Sequence, residues 1–439
     1  MPPSVETETI MGVSSGGSGR GDERGLAVAI AGGGIAGLEA LIGLRELAGD
    51  AISITLVSRE PDFTYRPQLV EEPFTPTPAT RRELAPIAEE FGARLVRGAV
   101  ERVAPTEHEL LLDDDSRVSY DVAVICVGAR PRPAFQGAAS LFGPEGAPPM
   151  DEQLRTAAAH PSRRLALVVP PGASWTLPLY ETALLAERRA RELSLEVEAL
   201  IVTPEVAPLV VFGPIASQAV AELLRARRIA IETDAYASER DGEITIAPAG
   251  LRLEAGSIVS LPVLDGPRID GLSADERGFI PVDEHSRVLG VEDSYAAGDG
   301  TNFPIKQGGL GTQQADAAAE QIAARAGTLS DPAPFHPVLR GKLLTGEESM
   351  SLSHDLTGGA GEGRVSADYL WWPPHKVSGR YLAPWLEGER PHPDPEPPRR
   401  PLEVEVALPK EWHRDPVALG PYELLGPEGG NAPARLEET

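Results

Sequence analysis

A glycine-rich turn near the beginning of the chain constrains the fold more than any other feature. The apolar segment 26–31 runs into Gly-Gly-Gly-Ile-Ala-Gly at 32–37, and a helical pattern (35–47) and a second apolar strand (52–57) follow. In this GxGxxG spacing the first glycine makes a tight turn, the second lets a pyrophosphate approach the backbone, and the third lets helix and strand pack closely. The sequence therefore predicts an α/β fold that opens with a dinucleotide-binding unit, and it assigns these roles to Gly32, Gly34 and Gly37.

The residues around this turn extend the candidate cofactor-binding set. Amides at a helix N-terminus favour a bound phosphate, so Ile35 and Ala36 join it. The ribose of a dinucleotide usually meets an acidic residue at the end of the second strand, which here reads Ser58-Arg59-Glu60. Either the Ser58 hydroxyl takes that role or Glu60 reaches back, while Arg59 would lie against adenine or a phosphate. The alternative for Arg59 and Glu60 is a solvated strand end.

The cysteine count and the charge exclude several classes of protein. The 439 residues contain one cysteine, Cys126, which excludes structural disulfides, a CxxC redox pair, thiolate zinc sites and iron–sulfur clusters. The eight histidines show no metal-ligand spacing, so we expect no metal. A net charge of −26 makes nucleic acid a poor partner. With no apolar run as long as a membrane span and no secretion signal, we expect a cytoplasmic protein without an integral membrane segment.

The pattern along the chain predicts several regions. Residues 1–25 are expected to form a disordered leader. A second α/β stretch lies within 151–267, with strands at 165–169, 197–202 and 229–231 and helices at 177–193 and 215–227. A strand-like segment at 287–289 and an Ala-rich helix at 312–326 follow. Residues 391–439, with eleven prolines and an excess of acids, are expected to be a mostly extended or disordered tail.

Two further glycine turns make the prediction more specific. Residues 120–129 read as an acid, a buried strand and a turn at Gly128. Residues 295–300 contain Gly298-Asp299, which places a carboxylate where the backbone can approach a ligand closely. A hydrogen-bond acceptor at Asp299 suits a sugar-alcohol hydroxyl.

With the opening glycine turn, these segments resemble the FAD-dependent pyridine nucleotide-disulfide oxidoreductase superfamily, near type II NADH dehydrogenases and sulfide:quinone oxidoreductases. The resemblance covers roughly residues 26–390. It implies an α/β fold with two Rossmann-like dinucleotide-binding domains in three layers. The FAD-binding domain (26–150 and 268–330) would be split around an NAD(P)-binding-like domain (151–267), and a C-terminal α+β interface region (331–390) would follow.

The resemblance also implies which residues would hold FAD. The first turn would bind the pyrophosphate, Gly128 would border the site, and Asp299 would bind the ribityl chain. Arg66 and Pro67 would lie beside the isoalloxazine, unless Pro67 only fixes an ordinary turn. The candidate cofactor-binding residues are thus Gly32, Gly34, Ile35, Ala36, Gly37, Ser58, Arg59, Arg66, Pro67, Val100, Gly128, Gly298, Asp299, Lys306 and Gly309.

Lys306 is the one candidate catalytic residue. It stands between the Gly-Asp motif and a glycine-rich turn at 308–311 that leads into the predicted helix, whose start in relatives faces the pyrimidine edge of the flavin. Helix amides and an ammonium group there would stabilise the negative charge of reduced flavin. The alternative is a surface lysine, but the chain has only four lysines, which favours a functional role.

The second α/β stretch departs from the family pattern. Its first strand is followed by Pro170-Pro171 instead of a GxGxxG turn, and two prolines remove backbone donors that a pyrophosphate would need. Trp175 stands near where sulfide-oxidising relatives carry a cysteine. Glu205, at the end of the next strand, is the residue that would still reach a ribose, so NAD(P)H binding stays possible.

Three functions follow from these observations. The first is an NAD(P)H:acceptor reductase whose acceptor is a quinone, another small molecule or a redox partner protein. The second is a flavoprotein shaped like a sulfide:quinone oxidoreductase that takes electrons from another small donor. The third is a non-catalytic flavin-binding sensor or scaffold. The aromatic cluster around Trp371 and Trp372 is either core, a flavin cover, a quinone-like pocket or the seam of a homodimer.

Overall fold

A computed structural model describes residues 25–142, 148–357 and 363–389, together with two short strands at 405–407 and 423–425. The predicted leader therefore lies outside the described residues, apart from Gly25. The predicted tail lies outside them as well, apart from those two strands, which pair in parallel.

Both α/β stretches begin with strands and helices in alternation and continue with runs of strands. Before residue 143 they are β1 (Leu26–Ala31), α1 (Ile35–Ala48), β2 (Ile52–Ser58), β3 (Asp62–Thr64), β4 (Arg81–Glu83), α2 (Leu84–Glu90), β5 (Ala93–Arg97), β6 (Val100–Ala104), β7 (Glu109–Leu112), β8 (Arg117–Ser119), β9 (Val122–Ile125), β10 (Arg130–Arg132) and β11 (Ala139–Ser140). Between residues 148 and 265 they are α3 (Met150–Ala159), β12 (Arg164–Val168), α4 (Leu177–Glu192), β13 (Glu198–Val202), α5 (Pro214–Ala226), β14 (Ala230–Glu232), β15 (Tyr236–Arg240), β16 (Glu243–Ala247), β17 (Leu251–Arg252), β18 (Ser257–Ser260) and β19 (Val263–Asp265). The remaining elements are β20 (Ser294–Ala296), α6 (Gly308–Arg325), β21 (Val338–Leu343), β22 (Met350–Asp355), β23 (Arg364–Ser366), α7 (Leu382–Glu387), β24 (Glu405–Ala407) and β25 (Glu423–Leu425).

The first unit is a parallel five-stranded sheet between two other layers. Its strand order is β20-β9-β1-β2-β5, so a strand from beyond residue 290 completes a sheet begun at residue 26. Val28 and Ile30 of β1 face α1 and α6, whereas Ala29 and Ala31 face the antiparallel meander β6-β7-β8. Because both faces of β1 are covered, its sequence is apolar throughout.

The second unit repeats this architecture. Its parallel sheet has the order β11-β18-β12-β13-β14, with α3, α4 and α5 on one face and the meander β15-β16-β17 on the other. The antiparallel pair β10–β19 joins the two units. The chain thus has two Rossmann-like units, and the first is split around the second, as the family resemblance implies.

The C-terminal sheet packs within the chain. Strands β21, β22 and β23 form an antiparallel sheet whose Leu339 and Leu352 join the core of the second unit. A Cβ atom added to Gly341 of β21 would lie 2.4 Å from the Phe212 ring, so this sheet rests directly on that ring. One face of this sheet, within the predicted interface region 331–390, therefore covers the second unit. Among the described helices, none has the length and apolarity to cross a bilayer.

Two element predictions were wrong in detail. Helix α6 begins at Gly308 instead of residue 312, although glycine is a poor helix former. The Gln307 side chain offsets this by accepting a hydrogen bond from the Leu310 amide at 2.9 Å. Residues 287–289 form isolated bridges, such as Arg287 with Tyr295, in place of a strand.

Candidate functional site

The three glycine turns meet at the carboxyl edge of the first sheet. Gly32 has φ +113°, and a Cβ atom on it would lie 2.3 Å from the Cys126 carbonyl oxygen. A Cβ atom on Gly37 would lie 1.8 Å from the Gly32 carbonyl oxygen, so α1 packs on the turn through this glycine. Gly300 makes a similar approach to Gly128, at 3.0 Å. These contacts bring the motifs at 32–37, 126–128 and 298–300 together, as parallel strand ends must.

Gly34 differs from its neighbours because it faces open space. A Cβ atom on Gly34 would meet no heavy atom within 4 Å. Gly34 is also the N-cap of α1 and makes no side-chain cap, and neither Ile35 nor Ala36 donates its amide to another described residue. This combination of free amides and bare backbone fits a pyrophosphate.

Ser58, Arg59 and Glu60, the three candidates for the ribose end of the site, have different surroundings. Ser58 is buried below the turn, and its Oγ would lie 3.0 Å from a Cβ atom on Gly33. Arg59 and Glu60 are exposed and pair with each other at 3.1 Å. The Glu60 carboxylate is thus engaged with Arg59, and the Ser58 hydroxyl donates to the Glu60 carbonyl oxygen at 2.9 Å while its own oxygen can still accept a hydrogen bond. Val100 begins β6 and packs on the meander side of the sheet.

Asp299 presents a free carboxylate to the cleft. Within the described residues, no side chain or amide forms a hydrogen bond to it, and burial raises its pKa while Lys306 and Arg66 oppose that rise. Its turn is held by Gln314 of α6, whose Oε1 accepts a hydrogen bond from the Gly298 amide at 2.9 Å. A rigid turn with an unpaired acceptor suits a polyol chain such as the ribityl group of FAD.

The loop after β3 supplies the cation opposite this carboxylate. Arg66 is exposed at the start of a 3₁₀ turn that contains Pro67. Beside it, the buried Tyr65 hydroxyl accepts a hydrogen bond from the Val377 amide at 2.8 Å. The C-terminal segment thus fixes the loop that carries Arg66 and Pro67, a contact that the sequence analysis missed because it joins distant parts of the chain.

Lys306 is buried, which excludes the surface-lysine alternative. Its Nζ donates to the Thr301 carbonyl and lies 3.8 Å from the centroid of the Phe279 ring. Burial lowers the pKa of Lys306 to about 7, although Asp299 and Asp275 oppose that shift. The ammonium is therefore held against the Gly-Asp turn and titrates near neutrality.

The N-terminus of α6 has two free amides. Gln307 caps Leu310, and neither Gly308 nor Gly309 donates its amide to another described residue. A Cβ atom on Gly308 would lie 2.8 Å from Val377 and 3.3 Å from Ile35, so both side chains enclose this helix start. Free amides at a helix N-terminus favour negative charge, which is what the edge of a reduced flavin carries.

Glu205 lies just after β13, as predicted, but its carboxylate is already engaged within the protein. Its carboxylate is buried and accepts hydrogen bonds from the hydroxyl groups of Thr176, Tyr180 and Thr203 at 2.7–3.0 Å. Burial raises its pKa to about 6. Both oxygens thus accept hydrogen bonds within the protein, and this burial and engagement disfavour the predicted ribose contact.

The aromatic cluster lies at the surface of the C-terminal region. The Trp371 indole donates to the His375 carbonyl at 3.0 Å. Trp372 is 60% exposed and donates to Glu389 at 3.1 Å. Both line a shallow cleft with Arg340 and Arg380. Across the described part of the chain, no group of three or more metal-ligating side chains is present.

The open glycine turn, the free Asp299 carboxylate, Arg66 and the α6 amides together fit FAD along the carboxyl edge of the first sheet. Among curated proteins, the ferredoxin–NAD(+) reductase component of the p-cumate 2,3-dioxygenase system of Pseudomonas putida is 34% identical over 123 residues. That match covers 25% of this chain and 29% of the relative, so it spans less than a third of the relative's length.

Solved structures show the same fold over most of the chain. The sulfide:quinone oxidoreductase of Aquifex aeolicus has a TM-score of 0.70 at 19% identity and covers 78% of this chain and 87% of its own. A ferredoxin reductase of Rhodopseudomonas palustris has a TM-score of 0.56 at 18% identity, with 75% and 82% covered. The family model for pyridine nucleotide-disulphide oxidoreductases matches residues 26–321, a range that contains both units and all three glycine turns. The chain therefore belongs to the pyridine nucleotide-disulphide oxidoreductase family.

Proposed function

We propose that this flavoprotein passes electrons from a small donor to an acceptor that is a quinone or a redox partner protein. The observation that carries the proposal is the cleft of the first unit, where free amides, bare backbone and an unpaired carboxylate line one sheet edge. When bound there, FAD supplies a carrier of two electrons.

The residues of the cleft would each bind one part of the cofactor. The amides of Ile35 and Ala36 would bind the pyrophosphate, and Asp299 would accept a hydrogen bond from a ribityl hydroxyl. The α6 amides and the Lys306 ammonium would favour negative charge at the pyrimidine edge. Lys306 is thereby proposed as the residue that sets how readily the flavin accepts electrons.

Chemistry with a protein thiol is not part of this proposal. The single cysteine, Cys126, is buried in the core, and burial raises the pKa of its thiol to about 12. One inert thiol can neither form a reducible disulfide nor attack a sulfur substrate. Electrons would therefore move directly between the flavin and a bound partner.

The similar proteins suggest the acceptor class. One relative is described as a ferredoxin–NAD(+) reductase component, and one similar structure as a sulfide:quinone oxidoreductase. A redox protein and a quinone are therefore the two acceptors to test. The donor is either NAD(P)H or a molecule without a nucleotide, and the engaged Glu205 carboxylate favours the second.

Anaerobic reoxidation tests the electron-transfer role. The purified yellow protein would be reduced with dithionite and mixed with a soluble quinone or with an oxidised ferredoxin. We expect rapid return of the flavin absorbance with at least one of them. Reoxidation no faster than that of free reduced FAD would contradict the proposal and favour a flavin-binding sensor.

A further inference from the structure

The second unit has a crevice in the place where this architecture holds nucleotides. In open parallel sheets, ligands bind outside the carboxyl ends of the strands. In the second unit that edge is bordered by the loop 169–176 after β12 and the loop 203–213 after β13. The side chains of these two loops therefore decide what the crevice can hold.

The carboxylate of Glu205, a residue of the loop 203–213, fills part of this crevice. Oε1 accepts from the Thr176 hydroxyl at 3.0 Å, and Oε2 accepts from the Tyr180 hydroxyl at 2.7 Å and from the Thr203 hydroxyl at 2.9 Å. Thr176 is the N-cap residue of α4, and Tyr180 lies in its first turn. The carboxylate thus bridges the end of β13 and the start of α4, between which a dinucleotide would lie.

Apolar side chains close the rest of the crevice. Leu209 and Phe212, from the same loop as Glu205, are completely buried, and the Phe212 ring packs edge-on against Trp175 with centroids 5.8 Å apart. The C-terminal sheet fixes this loop, because Gly341 lies directly on the Phe212 ring. Opening the crevice would therefore require the loop to leave a packed core.

The backbone and the charge of the crevice also disfavour a pyrophosphate. Pro170 and Pro171 have no N–H group to donate, and the Ala173 amide already bonds to the Pro170 carbonyl at 3.1 Å. The groups that shift the pKa of Glu205 include no cation to balance a further negative charge. A phosphate group next to that carboxylate would be repelled at low dielectric.

We propose that the second unit binds no pyridine nucleotide, because Glu205 and the loop 203–213 fill its crevice, and that the flavin takes its electrons from a donor without a nucleotide. This inference rests on the proposed function, since it assumes that FAD in the first unit is the electron carrier. The second unit then acts as a scaffold that positions the loop 170–176. That loop is tied to the flavin side by the Lys306 amide, which donates to the Ser174 carbonyl at 3.3 Å.

Anaerobic titration of the FAD-loaded full-length protein with NADH, and then with NADPH, tests the inference. We expect no loss of flavin absorbance with either nucleotide, and no saturable heat of binding in calorimetry. Dithionite added afterwards should bleach the flavin completely. Saturable binding or rapid bleaching by either nucleotide would overturn the inference.

Two outcomes separate this inference from the proposed function. A protein that carries no FAD, or whose FAD resists dithionite, contradicts the proposed function whatever the nucleotides do. If dithionite reduces the bound FAD normally, the proposed function stands. The titration with NADH and NADPH then decides whether the second unit binds a nucleotide.

The variant Glu205→Gln adds a second readout. Glutamine keeps the shape of the side chain but removes the negative charge with which a carboxylate would bind the hydroxyl groups of a ribose. We expect the wild type, Glu205→Gln and the control Glu232→Gln, which changes an exposed acid at the end of β14, to give the same blank calorimetric trace. Nucleotide binding that is present in the wild type and in Glu232→Gln but lost in Glu205→Gln would identify Glu205 as a ribose ligand and overturn the inference.

Discussion

The Lys376 ammonium lies 2.7 Å from Oε2 of Glu181 and joins the C-terminal region to α4 of the second unit. Glu181 is completely buried, and its Oε1 also accepts a hydrogen bond from the Leu344 amide at 3.0 Å. Burial raises the pKa of Glu181, and Lys376 is the leading influence that opposes this rise. The ion pair therefore holds the segment that also contacts Tyr65 on the flavin side.

Removing the cation from this pair should destabilise the fold. We expect Lys376→Met to lower the free energy of unfolding by about 3–5 kcal/mol, because it leaves a buried carboxylate without compensation. Urea denaturation of the two proteins measures the difference. The variant Arg252→Met removes an exposed ion pair with Glu243 and should change stability little. If the two substitutions lowered the free energy of unfolding equally, burial of Glu181 would not be the reason why the Lys376–Glu181 pair stabilises the fold.

The local features of the fold could be predicted from the sequence, whereas the closure of the second unit could not. The glycine turn at 32–37 is recognisable because its strand, turn and helix are consecutive in the chain. Glu205, by contrast, stands at the strand end expected for a ribose ligand, and only its contacts with Thr176 and Tyr180 show that it is already engaged. The ring of Phe212 is covered by Gly341, a residue of another sheet. No local pattern records such long-range contacts.

The start of α6 shows the same limit at short range. Glycines at 308 and 309 made a loop the better prediction from propensity alone. The Gln307 side chain caps the helix through the Leu310 amide, and Val377 packs on Gly308 from the C-terminal segment. Capping by Gln307 and packing by Val377 therefore stabilise the helix at the end whose amides are proposed to bind the cofactor.

The variant Gly34→Val should fold normally and lose FAD. Gly34 has φ −87° and ψ −166°, which valine adopts readily, and its side chain would enter open space. The added methyl groups would then stand where the pyrophosphate approaches the backbone. We expect a colourless protein whose thermal unfolding matches that of the apoprotein.

The neighbouring Gly37 provides the contrast for that variant. Gly37→Val would push its Cβ into the Gly32 carbonyl oxygen at 1.8 Å, so it should impair folding itself. Purification of Gly34→Val with a full complement of FAD would show that the cofactor does not lie on this turn.

Asp299→Ala should also give a colourless protein, for a different reason. Its carboxylate has no hydrogen-bond partner in the described part of the chain, so its removal breaks no hydrogen bond of the fold and removes an acceptor from the cofactor. Asp299→Asn keeps one acceptor oxygen and should retain part of the FAD. The flavin absorbance of the purified proteins measures their FAD content. Equal FAD content in the wild type, Asp299→Ala and Asp299→Asn would contradict the assignment of Asp299 to the cofactor.

Lys306→Met should lower the reduction potential of the flavin. The ammonium favours the more negative reduced cofactor, and a tenfold loss of that preference corresponds to about 30 mV for two electrons. Because the pKa of Lys306 is about 7, the group is charged below that pH and neutral above it. The difference between wild type and variant should therefore be largest at acidic pH and shrink as the pH rises. Spectroelectrochemical titration at several pH values measures it.

Lys342→Met is the matched control for the potential. Lys342 lies on β21 and donates to the Pro374 carbonyl at 3.3 Å, away from the Gly-Asp turn. Its substitution should leave the potential unchanged at every pH. A potential in Lys306→Met that equals the wild-type value throughout would exclude the proposed role of Lys306.

The stability of the protein should depend on pH through Glu205. Its pKa is raised from 4.5 to about 6 by burial, so the folded state holds this proton more tightly than the unfolded state does. The stability it contributes is complete below pH 4.5 and is lost as the pH rises through about 6. For a shift of this size the loss is about 2 kcal/mol by neutral pH. Glu205→Gln cannot titrate, so its stability relative to wild type should rise by that amount between acidic and neutral pH. Urea denaturation between acidic and neutral pH measures the free energy of unfolding of both proteins. A difference between them that does not change with pH would contradict the internal engagement of Glu205.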